Sequence, residues 1–467
     1  MLVFVGFVWV NHAGAEDILP SLHPAQPQAQ QHAQQQAAPQ KQGELSLVDK
    51  LLNILTNREI PRIDIPAKKL PEKNVREVIV NDVPQPPEPT GTKQSVPSSG
   101  LEIGQSFLPI YSFDRNDDEE SPPVLPFFST SPVNEVHRKI QTIIVFIHDQ
   151  SREAARAFAF ARSAQEEAIA RHPEWNADST YIFAPQFLNS EDVEAHAKTW
   201  PDGGSAMLRW VNNNWMYGMN SVTSDKTGIW QGKNGMSSFT VLDFALLLMA
   251  RPKLFPDLQK VVIAGTASGA DFVQRYAALG VAPAVLMDEG IDVRFVAAQT
   301  RTFLYMDNQR FVPRRDDPLS AKIQSDSFAP TKPDACRAMN SYPYGLDEMM
   351  PYGRKNAVNE VRLNYTGKRI VYLAGAGATL PIHETTPDAC ALIAQGPNTA
   401  KRAEIFFASL KRLYGDEVDR LQKLYLVQGV NEDGLSLWRS ACGTAALFGD
   451  GVCNANDVGG KAMQIVR

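Results

Sequence analysis

The run Val261-Val262-Ile263-Ala264 carries four apolar residues in succession with no polar residue between them. A strand with one face in water alternates apolar and polar side chains, so an uninterrupted run belongs to a strand covered on both faces. Similar apolar runs of strand length fall at 142–148, 181–187, 260–267, 293–299, 369–376 and 423–430. Helical periodicity lies between them, most clearly at 152–171, 240–250, 269–278, 399–413 and 434–448. Strands alternating with helices predict an α/β domain: a mostly parallel sheet with helices on both faces. No internal repeat is evident.

The residues ahead of this pattern differ in character. They are Gln-rich over 24–42, then Pro-rich, with an acidic run at 117–120. Such a composition buries too little apolar surface to offset its ordering entropy. Residues 16–135 are therefore read as a tail and linker, and 136–467 as the globular domain. Inside the tail, Leu47, Leu51, Leu52 and Leu55 share one face of a helical pattern, either a transient helix or a docking segment. At the start, a short apolar run over 2–10 ends in Ala13-Gly14-Ala15, a small-residue pattern suited to signal-peptidase cleavage, although no Lys or Arg precedes it. Residues 1–15 are read as a signal peptide too short to span a bilayer, and the mature protein as secreted or periplasmic.

A net charge of −6 offers no basic stripe, which argues against nucleic acid and anionic membrane as partners. The partner expected is a small ligand or a protein whose identity the sequence does not give. Cys336, Cys390, Cys442 and Cys453 make an even number, as in a disulfide framework, and four cysteines allow three pairings. They form no C-x-x-C pair and no Cys/His cluster, so no metal site is expected. No P-loop and no Gly-x-Gly-x-x-Gly is present, and no cofactor is expected. Gly375 and Gly377 imitate part of that motif, but Pro381 follows where a helix would have to run.

In open α/β sheets ligands bind at the carboxyl ends of the strands, so the residues where each apolar run stops carry the information. The run from Val261 enters Gly265-Thr266-Ala267-Ser268-Gly269-Ala270 and then a helical stretch, Asp271-Phe272-Val273-Gln274-Arg275-Tyr276. Gly265 and Gly269 flank position 267 at minus two and plus two, the spacing of a nucleophile elbow, in which glycines leave room for a strained central residue. The central residue here is Ala267. At this point the sequence resembles the α/β-hydrolase superfamily, within it an exported bacterial and fungal hydrolase-like group whose elbow reads Gly-His-Ser-Ala-Gly-Gly ahead of a Gln-Arg-Tyr helix. Further matches in order are Phe183-Ala184-Pro185-Gln186-Phe187, Ser237-Ser238-Phe239, Phe303-Leu304-Tyr305, Tyr344-Gly345-Leu346, Gln395-Gly396-Pro397-Asn398 and Ser440-Ala441-Cys442-Gly443. The resemblance spans about 140–453.

That resemblance implies an α/β-hydrolase fold and a catalytic triad degenerate at all three positions. The nucleophile position is Ala267. The acid position, in Gly375-Ala376-Gly377-Ala378-Thr379, is Ala378, and the histidine position, in Gly429-Val430-Asn431-Glu432-Asp433, is Glu432. An alanine methyl has no lone pair with which to attack a carbonyl, and a carboxylate without a serine to deprotonate cannot replace the imidazole shuttle. The oxyanion loop reads His148-Asp149, placing a carboxylate where the family stabilises negative charge. The resemblance further implies Cys442–Cys453 and Cys336–Cys390 bridges, both bracing loops around the former active site.

Two residues are candidates for rescue. Ser268 lies one residue past the elbow apex and is expected to satisfy a backbone N–H at the helix start. His383 follows the acid-position loop and is expected at the surface. His148 is expected to be structural, and the adjacent carboxylates Asp288-Glu289 and Glu432-Asp433 to be charged loops, since neighbours cannot flank one bond from opposite sides. Asn364-Tyr365-Thr366 has the pattern of a glycosylation acceptor. The function expected is that of an exported, inactive α/β-hydrolase-like pseudoenzyme with a binding or scaffolding role. The alternative is an active esterase, lipase or polyester depolymerase with a rearranged site drawing on Ser268, His383 and Glu432.

Overall fold

The computed structural model describes residues 100–110, 122–200, 203–222, 235–312, 323, 327–331, 336–381 and 388–453. The signal-peptide pattern, the Gln-rich stretch, the helical pattern near Leu51 and His383 all lie outside the described residues.

The main sheet has eight strands: β1 (Ser106–Pro109), β2 (Val124–Ser129), β3 (Thr142–Ile147), β4 (Thr180–Pro185), β5 (Lys260–Thr266), β6 (Asp292–Ala298), β7 (Arg369–Gly375) and β8 (Gln422–Val427). Their order is β1-β2-β4-β3-β5-β6-β7-β8. β2 runs antiparallel to both its neighbours, and every pairing from β4 to β8 is parallel. This is the α/β-hydrolase fold expected from the sequence.

Successive residues of a strand face opposite sides, and the apolar runs supply both faces. Ile143, Val145, Val261, Ile263 and Phe295 enter one core, while Ile144, Phe146, Val262, Ala264 and Val296 enter the other. The second core is closed by α1 (Ala154–Arg171), whose Ala157, Ala161, Ala164 and Ala168 recur at helical spacing. The first is closed by α2 (Ser238–Met249), α3 (Ser268–Leu279), α4 (Val358–Thr366) and α5 (Thr399–Tyr414), through residues such as Leu242, Phe272, Tyr365 and Phe406.

Three features depart from the sequence reading. Strands β1 and β2 fall within the stretch read as linker; its prolines hid Val124-Leu125-Pro126-Phe127-Phe128. Pro126 is opposite Phe107 in the β1–β2 register but turns its carbonyl the other way, accepting from Gln186 N at 2.8 Å, so its missing N–H is not owed to β1, and the β2–β4 register begins only at Phe127. The helix expected over 434–448 is two helices, α6 (Gly434–Arg439) and α7 (Ala441–Leu447), divided at Ser440, whose hydroxyl caps the second by accepting from the Gly443 N–H at 3.0 Å. Finally, β5 and β6 stop before residues 267 and 299 because Ala267 and Gln299 each adopt φ 53°, which no strand can continue.

Candidate functional site

Ala267 sits at the carboxyl end of the central strand with φ 53° and ψ −115°, a region sparsely populated by any residue bearing a Cβ. Its backbone is held from both sides: its N–H donates to Ala298 O at 2.9 Å, and its carbonyl accepts from Asp271 N at 3.0 Å. The flanking glycines are needed for close approach. A Cβ on Gly265 would lie 2.5 Å from the carbonyl carbon of Gly269, and one on Gly269 would lie 2.5 Å from His148 O. The elbow is thus fully built and presents a methyl group. It opens on a pocket of about 140 Å³ lined in part by His148, Asp149, Glu153, Phe160, Gln299 and Glu432.

Of the other two positions expected from the resemblance, Glu432 lines the same pocket as Ala267 and Ala378 does not. Ala378 is fully buried in the first core, its N–H donating to Gly375 O at 3.0 Å. Glu432 is exposed, and its Oε1 accepts from the Leu380 N–H at 3.0 Å, so the carboxylate is spent on the backbone of the acid-position loop. Its neighbour Asp433 caps α6 by accepting from Leu435 N and Ser436 N, both at 3.1 Å. Asp288 and Glu289 are exposed just ahead of β6, at the end of the sheet opposite the elbow.

His148 is structural, as expected. Its Nδ1 donates to Asp149 O at 2.7 Å and its Nε2 accepts from Phe187 N at 2.9 Å, which requires the neutral ring. Burial pushes its pKa down to about 4, against the raising effect of the Asp149 carbonyl. An imidazole with both nitrogens bonded to backbone is no base for a substrate. The Asp149 carboxylate accepts from Ser151 N at 2.9 Å and from the Ser151 hydroxyl. Glu153 lies 3.0 Å from the same hydroxyl and 3.6 Å from Arg156, which lies over the Phe160 ring. Beside them Arg152, also at positive φ, forms a buried two-point ion pair with Asp192, Nε to Oδ2 at 2.5 Å and NH2 to Oδ1 at 3.1 Å. The loop at 148–153 is thus lined and fixed by the chain's own carboxylates.

Ser268 departs from expectation. It is buried as the first residue of α3, the N-cap position belongs to Ala267, and no side-chain cap bond forms. It does not line the pocket. Among the described residues no histidine is hydrogen-bonded to a hydroxyl or thiol: His137 and His196 meet backbone carbonyls and His172 meets Glu174. Also among the described residues, no group of three or more His, Cys, Asp or Glu is arranged to hold a metal ion, and no helix is long and apolar enough to cross a membrane.

The cysteines pair as the resemblance implied, Cys336 with Cys390 and Cys442 with Cys453, at Cα separations of 5.9 and 4.8 Å. The placement of the second departs from expectation. Gly449, just before Cys453, accepts from Lys260 Nζ at 3.3 Å and from Arg294 NH1 at 2.9 Å near the amino ends of β5 and β6, away from the elbow. Asn364 in the glycosylation pattern lies within α4 and donates its amide Nδ2 to Ala278 O at 3.1 Å, so the nitrogen a glycan would take is engaged.

Several site residues escaped the sequence reading. Gln299 lines the pocket from the end of β6; its Nε2 donates to Asn431 O at 2.6 Å and its Oε1 accepts from Thr399 Oγ1 at 3.2 Å. Its place where an apolar run stops was the available signal. The Gln274-Arg275 pair, singled out only as a family match, anchors the loop after β6. Arg275 donates to Thr302 O at 3.1 Å and Pro343 O at 2.9 Å, and Gln274 accepts from Leu304 N at 3.0 Å. Gln395 grips the intervening residue, accepting from Phe303 N at 2.7 Å and donating to its carbonyl at 3.1 Å. Motifs scattered through the sequence thus meet in one buried network.

No family model matches the chain, and no curated protein matches it. Among solved structures it is similar to the poly(3-hydroxybutyrate) depolymerase LpqC of Bordetella parapertussis, at 16% identity over 76% of this chain and 93% of that one, TM-score 0.44. It is similar to poly(aspartic acid) hydrolase-1 of Sphingomonas sp. KT-1, at 16% identity over 72% and 96% of the two chains, TM-score 0.41. It is also similar to the siderophore hydrolase EstB of Aspergillus nidulans, at 11% identity over 78% and 100%, TM-score 0.36.

Proposed function

We propose that this protein is an exported, catalytically silent α/β-hydrolase-fold protein whose former active-site pocket serves binding or scaffolding. The observation that carries the reading is Ala267 held at φ 53°, ψ −115° in an intact elbow. A backbone in such a region costs on the order of 1–3 kcal/mol and persists only where its surroundings enforce it. Here the enforcing glycines and hydrogen bonds remain while the reacting atom is missing. Removal of the nucleophile alone costs about 10⁶ in rate in subtilisin. The buried Ala378 and the Glu432 bond to Leu380 N support the same reading, because position 378 offers no acid and Glu432, though it lines the pocket, finds no hydroxyl at 267 to deprotonate.

Export is supported by the signal-peptide pattern together with the pairing of all four cysteines. A pocket of about 140 Å³ suits a small ligand or one side chain of a partner protein. It is smaller than the roughly 300–1,000 Å³ of sites for drug-sized molecules. A rearranged esterase, lipase or polyester depolymerase needs a hydroxyl beside an imidazole, and the described residues contain no such pair. The test is turnover of short p-nitrophenyl esters by the purified, folded chain. The expected result is a rate no greater than that of buffer; saturable turnover that follows the protein through purification would overturn the proposal.

A further inference from the structure

The loops after β7 and β8, which carry the positions read as the former acid and histidine, are joined without a bond between those two positions. Ala376 N donates to Val427 O and Gly377 N to Val430 O, both at 2.9 Å, and Leu380 N donates to Glu432 Oε1 at 3.0 Å. One side chain spans the pair from outside. Gln299 projects from the end of β6, and β7 lies between β6 and β8 in the sheet. Its Nε2 reaches Asn431 O, adjacent to Glu432, while its Oε1 accepts from Thr399, adjacent to Ala400, whose N–H donates to Ala378 O at 3.5 Å. Gln299 is buried, at 4% exposure, and is held at φ 53°. In a working triad the tie between these two loops is the acid-to-imidazole hydrogen bond. Here positions 378 and 432 cannot make it.

We infer that Gln299 is a positioning residue that replaces the acid–histidine contact, bracing the loop at 429–433 against the start of α5 and so fixing one wall of the pocket. The inference rests on the reading of Ala378 and Glu432 as former triad positions. The donor is essential to it: Asn431 O can only accept, so whatever stands at 299 must carry a proton on the reaching atom.

Hydrogen exchange on the full chain, normalised to intrinsic rates, tests this in Gln299→Met, which keeps the volume and loses both hydrogen bonds, and in Gln299→Glu. In Gln299→Met, protection across 376–380, where the amides of Ala376, Gly377 and Leu380 donate to Val427 O, Val430 O and Glu432 Oε1, is expected to fall by at least about tenfold, as for loss of one or two hydrogen bonds, with 265–271 unchanged. Gln299→Glu is expected to lose protection at about pH 7.5, where the carboxylate has no proton to donate, and to regain most of it near pH 5, because burial raises a carboxyl pKa. A merely space-filling residue would show neither the loss in the methionine variant nor the pH-dependent rescue. Unchanged protection at 376–380 in Gln299→Met, or a glutamate variant whose protection there is the same at both pH values, would overturn the brace. Ester turnover by the unmodified chain would instead strike the silent reading and leave these exchange results standing.

Discussion

At the residue scale the decisive feature is a backbone angle. Ala267 keeps φ 53° and ψ −115° because its neighbours leave the chain no other path, and its methyl contributes strain without chemistry. Glycine populates positive φ without a Cβ penalty. Ala267→Gly is therefore expected to stabilise the fold by about 1 kcal/mol, the relieved strain outweighing the greater flexibility of the unfolded chain. A urea titration checks the direction: a midpoint raised at unchanged slope. The readings of 267, 378 and 432 as former triad positions rest on short strings that keep part of the family pattern: Gly265 and Gly269 around 267, Gly375 and Thr379 around 378, and Gly429, Val430 and Asp433 around 432. Gln299 was not, because its partner Asn431 is 132 residues away and nothing in the local sequence names it. Ser268 was legible only as a residue type; its exclusion from the cap follows from the elbow, which passes the N-cap position to Ala267.

At the element scale, the elbow depends on strand β5, helix α3 and the end of β3 touching backbone to backbone. A methyl at 269 would press on the His148 carbonyl, which belongs to a different element and cannot swing away as a flexible side chain would. Gly269→Ala is expected to destabilise by at least about 2 kcal/mol, the upper part of the range for overpacking, readable as a lowered urea midpoint. The Cys442–Cys453 bridge closes a short loop of sequence separation 11 beside the amino ends of β5 and β6. Replacing both cysteines by serine is expected to cost about 2–3 kcal/mol, on the chain-entropy estimate, while leaving exchange at 376–380 unchanged. The parallel strands were readable because both their faces are buried, which produces continuous apolar runs. β1 and β2 were not, since β2 begins Val-Leu-Pro within a Pro-rich stretch, and composition over such a window outweighs a short strand. The break at Ser440 is a cap decided by one hydroxyl, and the apolar periodicity continues through it.

At the scale of the whole molecule, two buried ionisable groups shape acid stability in opposite senses. His148 is held neutral by burial, with a pKa lowered to about 4. Its contribution is present above its unfolded value of about 6.5 and is lost as pH falls toward 4. Asp243, fully buried and bonded to Tyr276, Tyr352, Val281 N and Ala282 N, is raised to about 6 because burial outweighs those four donors. Its contribution is present below about 3.9 and is lost as pH rises through 6. Between pH 4 and 6 the two oppose one another. Melting temperatures of Asp243→Asn are expected to fall more steeply on acidification than those of the parent, and those of His148→Asn less steeply. Parallel curves for all three proteins would contradict both assignments.

The same scale holds the central claim, that a complete hydrolase elbow has been kept with nothing to deliver. The most direct measurement is the intact mass of the full chain after prolonged exposure to a fluorophosphonate, which forms a covalent adduct with an activated serine and needs no substrate preference. The expected result is the unmodified mass, with the protein still folded. A stoichiometric adduct, mapped to any serine of the chain, would contradict it.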